Sequence, residues 1–106
     1  ERSRQATRCD WGGSAVGRYL EVQGLAGREG AIAAAIVEEL KSLGVPESAI
    51  RFDGANERIP LQTETGNLIV TLPGTMGGER IAFSTHLDTV PLCAGAKTIG
   101  LVAQCW

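Results

Sequence analysis

The sequence predicts an α/β fold in which helices pack on a mixed, incomplete sheet. One amphipathic helical repeat, centred on residues 31–43, alternates with three short β-prone runs at 49–52, 67–72 and 80–85. That alternation of periods is the mark of an α/β layer. Three short strands make a meagre sheet, so further strands are expected to be needed to complete it.

Taken in order, residues 1–13 show no clear periodicity and end in Trp11-Gly12-Gly13, which has the composition of a connector; they are expected to be coil. Ser14 can serve as an N-cap, and Val16, Tyr19 and Leu20 then fall at helical spacing up to a stop at Gly24. The longer helix follows. Ile32, Ile36, Leu40 and Leu43 form one stripe with Val37 beside it, and Ala31, Ala33, Ala34 and Ala35 favour the helical state. Glu29 lies near the positive N-terminal end, and Gly44 is placed to close the helix as a left-handed cap before Pro46. Packing on a sheet is its expected role.

Ala49-Ile50-Arg51-Phe52 predicts a strand that the turn residues Asp53-Gly54-Ala55-Asn56 end. Asn67–Leu72 stops at Pro73-Gly74, and Arg80–Thr85 begins after Met76-Gly77-Gly78; the two read as neighbouring antiparallel strands. No repeat of 20 to 50 residues and no low-complexity tract interrupts this order.

Composition removes several classes of function. Ten Lys and Arg against twelve Asp and Glu leave a net charge of −2, so the chain has no field to hold phosphate backbones, and nucleic acid is not an expected partner. The apolar run Ala31–Val37 is too short to cross a bilayer, and the opening residues lead into no secretory signal, so a cytoplasmic protein without a membrane partner is expected. Cys9, Cys93 and Cys105 form an odd, widely spaced set without a C-x-x-C pair; reduced, chemically passive thiols fit that pattern. Neither a phosphate-binding glycine loop nor a G-x-S-x-G elbow is present.

The chemistry concentrates at Phe83-Ser84-Thr85-His86-Leu87-Asp88-Thr89-Val90-Pro91, where the only histidine leaves the end of an apolar run. In extended backbone, residues i and i+2 project to the same side, so Asp88 can accept a hydrogen bond from one ring nitrogen of His86. The other nitrogen is then free to bind a metal, with its tautomer and orientation fixed by the carboxylate. Ligands in α/β folds also gather at the carboxyl ends of strands, where His86 is expected to stand. The pattern H-x-D is short, and a histidine at a strand end serves a structural role in many proteins. Both readings remain open on these residues alone.

The longer stretch Ser84–Pro91 closely resembles the first zinc-ligand motif of the peptidase T, aminoacylase and succinyl-diaminopimelate desuccinylase family. The likeness continues back through Gly66-Asn67-Leu68-Ile69-Val70, Pro73-Gly74-Thr75 and the Gly24–Gly30 turn before the long helix, and covers residues 16–97. It implies the start of a zinc-exopeptidase catalytic domain, preceded by a poorly defined segment 1–15 and followed by an atypical tail 98–106.

Under that resemblance His86 is a ligand to one zinc of a two-zinc centre, and Asp88 is the acid that clamps its imidazole. The intact enzyme would hydrolyse peptide or acyl-amino-acid amide bonds with metal-activated water and a glutamate base, and the family often dimerises through an inserted lid domain. The bridging aspartate, the glutamate pair, the further acidic ligand and the distant histidine lie later in the family's longer chain and have no counterpart here. The chain is therefore expected to be a fragment, ended by truncation, a frame change or incomplete gene assembly, and to be inactive alone. Two alternatives stand beside this. One is a noncatalytic small α/β module that binds a partner through a sheet edge, with a structural His86. The other is an incomplete sheet that simply associates through its unpaired strands.

Overall fold

The structure, a computed structural model, describes residues 17–97. The expected N-terminal coil, the Ser14 cap with Val16, Cys9, Cys105 and the atypical tail lie outside the described residues. Helix α1 is described over residues 17–21, and is followed by helix α2 (Gly30–Ser42), strand β1 (Ile50–Phe52) and strand β2 (Leu68–Val70). Single 3-10 turns occupy Glu47–Ala49, Ala55–Arg58 and Pro91–Cys93.

Helix α2 forms where the apolar stripe and the alanines place it, and an identifiable group meets each of its ends. At the start, the Gly30 N–H donates to Glu64 Oε2 at 2.9 Å, so a carboxylate from a loop far along the chain meets the positive end of the helix. Such an exposed pairing is worth about 0.3–1 kcal/mol. Glu29, the acid expected there, instead turns its side chain back and accepts the Gly27 N–H at 2.6 Å. At the other end, Gly44 has φ +92°. Its N–H donates to the Lys41 carbonyl and the Val45 N–H to the Leu40 carbonyl, each at 3.0 Å, which is the paired closure of a Schellman motif. The glycine cap expected from the sequence is present.

Strands β1 and β2 pair antiparallel in the register Ile50 with Val70, Arg51 with Ile69 and Phe52 with Leu68. Bonds from the Asp53 N–H to the Asn67 carbonyl (3.0 Å) and from the Thr71 N–H to the Ala49 carbonyl (2.9 Å) carry the ladder one step further at each end. One side chain pins the closed end. Asp53 Oδ1 accepts the Asn67 N–H (2.8 Å) and the Ala55 N–H (3.1 Å), and Oδ2 accepts Asn67 Nδ2 (2.9 Å). Gly66 lies against this knot so closely that a β-carbon there would overlap the Asp53 carbonyl oxygen and approach Oδ1 to 2.6 Å.

The chain combines helix with an incomplete sheet, as expected, but the sheet differs from the expectation in two respects. Among the described residues it is a two-stranded antiparallel pair rather than a mixed sheet. Arg80–Thr85 is not a strand: it runs without a ladder, with Ile81 at 81% and Phe83 at 97% exposure. Pro73 lacks a donor, and Gly78 takes φ +142°, so the chain leaves β2 and does not fold back along it. Nor does α2 lie on the strands as a packed layer. Among the described residues the buried apolar side chains are Ile32 and Ala33; Ile36, Val37 and Leu40 are half-buried, and Leu43 is exposed. Ile32 meets Gly24, where an added β-carbon would come within 2.6 Å of Ile32 Cγ2.

Two outcomes follow for the hairpin. Gly66→Ala forces backbone apart at the Asp53 knot and is expected to destabilise the β1–β2 pair by about 1–3 kcal/mol, read by denaturant unfolding. The Asp53 carboxyl is held below its ordinary value, chiefly by the Asn67 side-chain amide and then by the Ala55 and Asn67 N–H groups. A depressed acid contributes stability above its unfolded value and loses it as pH falls through the folded one. Thermal melts are therefore expected to show a loss of stability below about pH 4 that shrinks in Asp53→Asn.

Candidate functional site

The segment carrying His86 is attached to the rest of the chain through Thr89. Its N–H donates to the Gly24 carbonyl at 2.7 Å, and its Oγ1 donates to the same oxygen at 3.2 Å. Leu25 and Thr89 form a one-residue parallel bridge at this point. Pro91 then opens a 3-10 turn, closed by the Cys93 N–H on the Val90 carbonyl at 2.9 Å, which ends the extended run. Gly24 thus does two things: without a side chain it lets Ile32 close on it, and its carbonyl holds the loop that presents His86.

Just upstream of Thr89, the imidazole of His86 and the carboxylate of Asp88 are in contact. His86 Nδ1 lies 3.1 Å from Asp88 Oδ1 and 3.0 Å from the Asp88 backbone oxygen. Both neighbours are acceptors, so the neutral ring places its proton on Nδ1 and donates to them. Nε2 then carries the lone pair, and no described residue bonds to it. With 82% of the His86 side chain exposed against 43% for Asp88, the ring faces water rather than an apolar interior. When protonated, an exposed pair of this kind is worth only about 0–1 kcal/mol.

This is the orientation a metal-binding histidine needs, but its setting differs from the expected one. His86 stands on an extended, unpaired segment and not at the carboxyl end of a strand in a crevice. Among the described residues no group of three or more His, Cys, Asp or Glu side chains could hold a metal ion. Glu79 is exposed and takes no part. Zinc requires three or four protein ligands for a tight site. The described residues therefore fit one donor of such a centre and do not close one, and they allow no catalytic step to be derived through a metal.

Cys93 is a free thiol and is exposed rather than packed away as a passive apolar residue. With Leu20, Val22, Thr89, Ala96 and Lys97 it lines a small, mainly apolar hollow of about 250 Å³. Elsewhere, Glu29 Oε2 is buried without a hydrogen-bond partner, and Arg18 meets Glu39 at 3.4 Å. Neither lies in the His86–Thr89 segment. No described helix is long and apolar enough to cross a membrane.

Sequence reasoning found the His86–Asp88 pair but missed what holds it. Gly24 reads locally as a helix stop, and nothing in its surroundings announces that its carbonyl takes two bonds from a threonine 65 residues away. The Asp88 backbone oxygen was equally hidden, because any residue at that position would supply it. No family model, curated protein or solved structure matches this chain.

Because the carbonyl acceptor survives side-chain truncation, Asp88→Ala is expected to weaken the Nδ1–H tautomer without abolishing it. The ¹⁵N shifts of the neutral His86 ring measure this directly, and an Nε2–H ring in the unaltered protein would contradict the geometry. Thr89→Val removes one half-buried hydrogen bond, worth about 1 kcal/mol. It is expected to raise amide exchange across residues 86–89 while leaving α2 protected.

Proposed function

We propose that this chain is part of a zinc-dependent metallopeptidase or amidohydrolase of the tripeptide-aminopeptidase kind, to which it contributes one zinc ligand, His86. The observation that carries the reading is the His86–Asp88 contact within Ser84–Pro91: an imidazole held at Nδ1 by its acid, with Nε2 facing water. Zinc, when bound in a complete two-ion centre, supplies an acidified water for hydrolysis of peptide or acyl-amino-acid amides. This chain's own part is positional. Asp88 fixes the ring's tautomer, and Thr89 on Gly24 fixes the loop. On this reading the other ligands and the general base come from sequence beyond these residues, the working enzyme is cytoplasmic and can be dimeric, and the 106-residue chain is not active by itself.

A second reading, a noncatalytic α/β module that docks a partner through a strand edge with His86 as a plain surface residue, draws on the two-stranded sheet, whose pairing among the described residues leaves an outer edge on each strand. The two are separated by metal dependence. The module would fold and bind identically in the presence of a chelator.

For the purified chain, titration calorimetry is expected to show weak zinc binding that disappears in His86→Ala, and peptide hydrolysis assays are expected to show no sustained zinc-dependent turnover. Zinc binding unaltered by His86→Ala would overturn the ligand assignment. In a longer protein that carries this stretch, Asp88→Ala is expected to lower zinc affinity or activity about tenfold to a hundredfold. The retained backbone acceptor puts the expected loss toward the lower figure. Activity equal to that of the unaltered protein would count against Asp88 as the orienting acid. Sequencing the coding DNA past the codon for Lys97 tests the parentage: a frame continuing into acidic ligand motifs supports it, and a frame without them removes it.

A further inference from the structure

We draw no further inference here: the strongest candidate, the exposed apolar run around Ile81 and Phe83 between β2 and His86, is an unpartnered face, and nothing in the structure shows what covers it.

Discussion

The Gly24 carbonyl accepts both the N–H and the hydroxyl of Thr89, and the placement of His86 hangs on that pair of hydrogen bonds. Each such bond contributes about 1 kcal/mol net, while fixing one residue's backbone opposes it by about 1–2 kcal/mol. The segment from Arg80 to Asp88 makes no strand ladder of its own, so little else opposes its freedom. Gly24 is suited to the junction for a second reason. A side chain there would collide with Ile32, one of the two buried apolar residues of the described chain, and would press on the Leu87 carbonyl at 3.2 Å. Helix packing and loop attachment therefore meet at one residue, and a change in either is felt by the other.

The sheet is organised around a different point. Asp53 gathers three hydrogen bonds at the closed end of the β1–β2 pair, and Gly66 leaves the space they need. This knot sets register well, but two strands bury little. Leu72, Met76, Ile81 and Phe83 all stand exposed, and the apolar stripe of α2 is only half covered. A two-stranded ribbon is marginal in water unless a third strand or a helix covers it. The described elements supply the pieces of an α/β layer without its stacking.

The imidazole–carboxylate pair depends on neither feature for its existence. Two residues apart in extended backbone, His86 and Asp88 share a side, and the contact closes within three residues. What the tertiary arrangement adds is direction: it leaves the ring open to water and gathers no group of three metal-binding side chains among the described residues. On the proposed function this outward ring is one donor of a metal centre, and the described residues do not form the rest of it.

How far the sequence reached can be traced residue by residue. Helix α2 with its Gly44 closure, the turn after Phe52 and the His86–Asp88 contact were legible because each is formed by groups within a few positions of one another, and the segments near 50 and 69 were legible as β-prone runs. Four features were decided only in space: the pairing of those two runs with each other, where the sequence predicts Arg80–Thr85 as the partner of the second, Glu64 in place of Glu29 on the Gly30 N–H, the Thr89 attachment to Gly24, and the failure of Arg80–Thr85 to become a strand. A helical turn or an i to i+2 contact carries its own partner in the local chain. A strand does not, since its donors and acceptors point sideways, and whether another strand lies there depends on the whole path of the backbone.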